Sequence, residues 1–519
     1  MKAWLALPAV LAVAAAAPLA GQARDTTSRS ARITYLTGVT AYLNAGREEG
    51  LRDSTRLDVF RGGRRVGTIR VTYLASHQAA CDIVDTTSAL TVGDSVRFIP
   101  ALLPRAPVAT REPWSPNRTR SGTITGTAGL EYFSVAGGGV RLSQPGVDLR
   151  VFGGPAGSSL SFALDLRERR TTTAASGVPT AVAGESRVYQ AAARWQTPGS
   201  SLRVGLGRQF VDGLPAVGLI DGLEVGSYGP AWAAGAFVGT LPGLSDLQFS
   251  GEIRALGAYV RRQGRPAAGG FWSLTAGASG SYLGGAFRTN REFLYLEAKY
   301  FGPRVSGFIS QEVDYYRPWK RLPGEGPFSP TATFGLARFQ ATGAWSLQGG
   351  VDERRNVRLF EDAVSPESTF DAAFRRGAWI RTTLQPNRHV LLDLDARAGD
   401  GGTIGRTDSY TGAVAVERLG ELGAGFRVRA TRYLSPGRTG WLTAASVGIA
   451  PADRWRVNVN AGQRREDVAI LTGPQVTRWV GGDVDVSVAR SWFATVSITR
   501  QRGAQQDADQ LFALLSYHF

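Results

Sequence analysis

From residue 122 to residue 519 the chain repeats one pattern, segments of 9 to 13 residues in which apolar and polar side chains strictly alternate, joined by Gly, Pro, Asp or Asn turns. Alternation with period two is a strand signal, because successive side chains of a strand point to opposite faces. In one segment Leu160, Phe162, Leu164 and Leu166 oppose Asp165, Arg167 and Arg169. Leu202, Val204 and Leu206 oppose Arg203, and Leu294, Leu296, Ala298 and Tyr300 oppose Tyr295, Glu297 and Lys299. Leu392, Leu394 and Ala396 face away from Asp393, Asp395 and Arg397, and Phe426 and Val428 from Arg427 and Arg429. Trp455, Val457 and Val459 alternate with Arg454, Arg456 and Asn458, and Val484 and Val486 with Asp483 and Asp485. A soluble sandwich ends its strands sooner and closes in about 100 to 250 residues. Strands this long and this numerous, with one greasy face, predict a large all-β transmembrane antiparallel barrel, in which closure pairs every backbone group within the lipid. The count is about 20 strands within a range of 18 to 22, since a run such as 331–352 reads either as one strand or as a hairpin.

Composition agrees. The chain holds 65 Gly, 12 Trp, 15 Tyr and 23 Phe, and its formal charge of +16 comes from 59 basic residues, of which only three are lysines. Arg and acid are scattered together along the chain rather than gathered in a stripe, so no nucleic-acid partner is expected. One cysteine, Cys81, excludes an intramolecular disulfide, and three distant histidines make a metal centre unexpected. No cofactor is implied. His389 has Asp393 and Asp395 nearby, but no nucleophile motif accompanies them and the chain does not read as an enzyme.

Residues 1–23 have the form of a cleaved secretory signal: Lys2, an apolar run too short to span a bilayer, then Gly21-Gln22-Ala23. Residues 24–99 form short alternating runs at 33–35, 56–60, 66–73, 80–84 and 95–99, a small β-domain of five or six strands. Its order Leu57-Asp58-Val59-Phe60-Arg61, Val66-Gly67-Thr68-Ile69-Arg70-Val71 and Val92-Gly93-Asp94-Ser95-Val96-Arg97 resembles the small β-barrel of the flagellar assembly protein T C-terminal type. That resemblance implies a periplasmic interaction or spacer module without catalysis. His77 and Cys81 within it are read as a surface histidine and a buried structural cysteine. Pro100, Pro104, Pro107, Pro113 and Pro116 make 100–121 a stiff linker.

The last residues, Leu511, Ala513, Leu515, Tyr517 and Phe519, form one apolar face ending on a terminal aromatic. This resembles the insertion signal of Gram-negative outer-membrane β-barrel proteins, with Leu515, Tyr517 and Phe519 as its reading positions. The resemblance implies an outer-membrane location, with lipid and the barrel-insertion machinery as partners. Aromatics near strand ends (Tyr132, Phe133, Trp195, Phe210, Trp272, Tyr315, Tyr316, Trp319, Trp379, Trp441, Trp479, Trp492) fit interfacial girdles.

The charged faces are expected to line a lumen: Asp165, Arg167, Arg203, Glu297, Lys299, Asp393, Asp395, Arg397, Arg427, Arg429, Arg454, Arg456, Asp483 and Asp485. So wide a barrel cannot be filled by its own wall and must hold water, a plug or an inserted loop. The 209–226 segment, with Asp212-Gly213 and Asp221-Gly222, has enough small and apolar residues to fold inward as a constriction, a surface loop being the alternative. An energy-coupled receptor is not expected, because its plug would be larger than the 68 residues from 32 to 99. The leading expectation is a porin-like passive channel for small hydrophilic solutes. The alternative is an interaction protein that uses the barrel as an anchor and docks a periplasmic partner through the small domain.

Overall fold

The computed structural model describes residues 29–36, 40–46, 51, 55–74, 79–98 and 124–519, the last stretch without 156, 157, 176, 177, 198, 244, 245, 265–269, 285–287, 322, 323, 361–374, 388, 402–404, 421, 453, 454, 490 and 504–506. The signal segment, the linker, His77, Arg454 and most of the long 356–371 loop therefore lie outside the described residues.

Two closed barrels follow one another along the chain. The first is made of β1 (Arg29–Leu36), β2 (Thr40–Leu43), β3 (Arg56–Arg61), β4 (Arg64–Leu74), β5 (Ala79–Thr86) and β6 (Ser95–Phe98) in the order β1-β2-β5-β4-β3-β6. Five of these match the expected runs, and β2 is the one the sequence hides, being only four residues long. Ile33, Leu43, Leu57, Val59, Ile69, Val71, Cys81 and Val96 fill its interior. Burial, helped by the neighbouring Asp82 charge, pushes the Cys81 thiol up to about 12, so this cysteine is a packing residue. Arg61 clamps Asp94 with two hydrogen bonds of 2.6 Å and fixes the loop before β6.

The second barrel runs from β7 (Thr125–Gly137) through β28 (Ala508–His518), twenty-two antiparallel strands closed where β28 pairs with β7. That is the upper end of the expected range. The 331–352 run is a hairpin, β18 (Phe328–Gln340) and β19 (Trp345–Arg354), turning at 341–344. Some strands outrun the expectation, up to the 18 residues of β10 (Val178–Trp195). Leu206, Leu394 and Ile498, on three different strands, are 62%, 61% and 58% exposed. Exposed branched apolar side chains at every second position make sense only against lipid.

The two ends of this barrel differ. At one, here the near end, lie Thr125, Phe519 and short turns; at the other lie the longer loops. Trp195, Trp232, Trp345, Trp455 and Trp492 all point outward from near-end strand termini and are exposed, as an interfacial belt requires. Not every expected girdle residue belongs to it. Trp379 lies opposite Arg397 and Trp479 opposite Gly462 on the inner face, and Phe133 faces Phe512 there. Each is one residue out of phase with the lipid face, which in a strand reverses direction.

The small barrel is seated in the near end of the large one. Phe271 and Phe301, paired between β15 (Phe271–Leu283) and β16 (Arg288–Phe301), are each 2% exposed and complete the small barrel's own hydrophobic core. Across the lumen, Ser30, Asn44, Ala45 and Phe98 bound a space of about 230 Å³ together with Thr125, Arg150, His518 and Phe519. β16 and β28 stand twelve strands apart in one direction and ten in the other, so the small barrel reaches from wall to opposite wall. The small barrel spans 29–98 and the large one 125–518, and the smaller sits in the mouth of the larger as a plug.

Candidate functional site

The register places thirteen of the fourteen expected lumen residues on the inner face; Arg454 is outside the described residues. Most are held by neighbours. Asp165 lies 3.4 Å from Arg150, Lys299 2.9 Å from Glu297, and Asp395 2.8 Å from Arg397 and 3.4 Å from Arg381. Arg427 approaches Asp393 at 3.9 Å, and Asp483 and Asp485 accept from Asn458 and Thr495. Arg203 pairs with Asp212 and stacks on Tyr228 at 3.8 Å, and Arg167 lies over Tyr189. Arg429 faces the lumen from β23 (Ala424–Ser435) beside Ala413 and Ala444, and Arg456 stands in register with Asp485. The inner wall is thus a lattice of paired opposite charges.

Constriction comes from a segment shorter than expected. Residues 209 and 210 end β11 (Leu202–Phe210) and 219–226 belong to β12 (Leu219–Tyr228), leaving 211–218 as the loop. It folds inward. Leu214 is fully buried with Ile220, Phe237, Tyr259, Phe293 and Tyr295. Asp212 is gripped by Arg203, by Arg194 at 3.5 Å and by the Tyr228 hydroxyl at 3.4 Å. Two glycines make this possible: a Cβ on Gly213 would stand 2.1 Å from the Tyr259 ring, and one on Gly277 2.5 Å from Leu214. At the far end the loop after β17 (Val305–Tyr315) also turns in. Lys320, wholly buried, donates to the Asn290 carbonyl at 3.1 Å, and Asp314 accepts from Arg291 at 2.8 Å.

Arg150, Arg194, Arg261, Glu312 and Arg381 belong to this lining and were not singled out from sequence, whereas Asp212 was, as part of the inward-folding segment. Their signal is the same alternation, blurred because they sit near strand ends or beside loops. Of the two described histidines, His389 Nδ1 lies 2.9 Å from the Glu417 carbonyl, and His518 contacts Ser516 and Thr127 near the barrel closure. No group of three or more metal-ligating side chains occurs among the described residues. Leu515, Tyr517 and Phe519 all face outward, with Tyr517 stacked on Phe519.

On the plug, partly buried Asp82 faces Arg338 and Arg381 of the wall and Arg70 of its own barrel. Burial pushes its carboxyl above the ordinary carboxylate range more than these three cations pull it down. A carboxyl raised in the seated state favours that state as pH falls, and this contribution is lost as pH rises through the raised value. Acidification from neutrality toward the carboxylate range should therefore tighten the plug, and Asp82→Asn should flatten the dependence. Protease resistance of the small barrel in the intact protein, followed against pH, checks this. Identical profiles for the two proteins would remove Asp82 from the seat.

No family model matches the sequence, and no curated protein matches it. Solved structures resemble it. The P pilus usher PapC translocation pore has a TM-score of 0.41 at 11% identity, over 76% of this chain and 99% of PapC. OpdQ of Pseudomonas aeruginosa gives 0.36 at 11%, over 77% and 98%. The ferric enterobactin receptor PfeA of the same organism gives 0.48 at 10%, over 76% and 80%. Likenesses this distant leave function to this chain's own geometry. None of the three bears on the flagellar resemblance of the small domain.

Proposed function

We propose that this protein is an outer-membrane channel for small polar solutes whose opening is set by its own N-terminal barrel. The observation that carries the reading is a closed twenty-two-strand barrel, apolar outside and charged inside, with a second closed barrel lodged across one end. A barrel of this size is too wide for its wall to fill, so a plug governs passage. Short turns at the near end and long loops at the far end support a periplasmic position for the plug, since outer-membrane barrels keep their short turns on that side. Residues 1–23 serve export, and Leu515, Tyr517 and Phe519 present the insertion signal. Solutes pass by diffusion along the charged wall. Seating in the lumen takes one flank of the small barrel away from any docking partner, which favours the channel over the anchor.

Planar-bilayer recordings test this. The full chain should give small or infrequent current steps, and a variant lacking 29–98 steps several-fold larger. Silence from both proteins, each shown to be folded, would sink the channel.

A further inference from the structure

Between plug, inward loop and wall lies a cavity of about 430 Å³, within the range of roughly 300 to 1,000 Å³ typical of small-molecule sites. Ile83 and Leu90 of the plug close one side, Pro215 of the loop another, and Phe308 and Phe334 stand in the wall. The two phenyl rings are tilted at 53° with centroids 5.8 Å apart, and Phe334 remains 39% exposed although it points into the barrel. An exposed phenyl facing inward offers a flat apolar surface to a guest.

The charges around this space are not alike. Glu297 is held by Lys299 at 2.9 Å and by the Tyr295 hydroxyl at 2.9 Å, Glu312 by Arg291 at 2.6 Å, and Asp212 by Arg203 and Arg194. Each lining acid thus already has a cation. Arg261 differs: its Nε donates to the Thr275 hydroxyl at 3.1 Å and its Nη2 to the Asp212 main-chain carbonyl at 3.3 Å, both neutral acceptors. Glu297 and Glu224 lie within electrostatic reach of Arg261, yet neither is clamped by it, and a guanidinium whose own hydrogen bonds go to neutral oxygens can still offer its fork to a carboxylate.

We infer that this cavity binds a small organic anion with a flat apolar body, an aromatic carboxylate in its simplest form, with Arg261 on the carboxylate and Phe334 against the ring. A cationic guest would need Glu297 or Glu312 uncovered. The inference deepens the channel reading, resting on it only for access to the lumen.

The test is calorimetric titration of the full-length protein in detergent with 2-naphthoate, and in parallel with neutral 2-naphthalenemethanol. Naphthoate should bind and the alcohol should bind at least about tenfold more weakly, as loss of a charge-assisted bidentate contact demands. Arg261→Gln should weaken naphthoate about tenfold or more, and Phe334→Ala roughly fivefold. Arg354→Gln, exposed at the end of β19 and outside the lining, should leave it unchanged. No naphthoate binding, equal binding of acid and alcohol, or a fully active Arg261→Gln would each overturn the site. The acid-to-alcohol comparison needs no variant, so a poorly folding substitution does not rescue the idea. Current without naphthoate binding would remove the site and leave the channel; binding without current would do the reverse.

Discussion

Replacing Phe271 and Phe301 together by alanine is expected to unseat the small barrel and turn a nearly closed protein into a conducting one. Both rings are buried, they face each other across β15 and β16, and they complete the hydrophobic core of a barrel nearly two hundred residues away in sequence. Each buried Phe→Ala change costs about 3 to 5 kcal/mol where the cavity cannot collapse. Here the loss falls on the contact between the two barrels, because the large barrel's strands are held by their own backbone ladders. The plug should therefore loosen while the wall remains intact. In planar bilayers the double variant should switch between a low state like that of the full chain and a high state like that of the 29–98 deletion. Limited proteolysis should cut the small barrel faster while sparing the large one. A double variant as closed and as protected as the parent, alongside a deletion that does open, would show that these rings do not hold the seat.

Ile498→Arg should cripple insertion, whereas Ser497→Arg, one residue away, should be tolerated. Ile498 lies mid-strand on β27 (Trp492–Gly503) with its side chain exposed on the apolar face, beside Leu511 of β28. Ser497 is opposite Asp483 and Phe512 on the inner face. Arginine facing lipid at the bilayer midplane costs about 2 to 4 kcal/mol, which shifts the folding equilibrium roughly 30- to 800-fold. On the inner face the same side chain enters water beside a carboxylate. Urea titrations of both variants in lipid vesicles, read by heat-modifiable gel mobility, separate the two outcomes. Equal loss in both, or none in either, would refute the assignment of faces.

Much of this was legible because alternation is local. Whether Leu394 or Asp395 meets lipid follows from their being neighbours on one strand, and the inner placement of Asp393, Arg397, Arg427 and Arg429 follows in the same way. The inward turns of Trp379 and Trp479 were legible too, since each alternates with an exposed residue, Ile380 and Val480. Nearness to a strand end does not set the face of a side chain; its phase in the alternation does. The constriction was visible as a small, apolar segment, but its pivot was not. Asp212 meets Arg194 and Arg203 from neighbouring strands, and Gly213 rests on Tyr259, 46 positions further along the chain.

By itself, then, the sequence determined the fold class and which residues of a strand share a face, because strand geometry ties each residue to its neighbour. Only the tertiary structure decided what occupies the lumen. The seat of the small barrel depends on Phe271, Phe301, Arg338 and Arg381 reaching Ile83 and Asp82 from strands brought together by closure of the large barrel. No local pattern encodes such contacts, for they join segments about two to three hundred residues apart and involve one face of a module whose sequence reads the same whether it is seated or free.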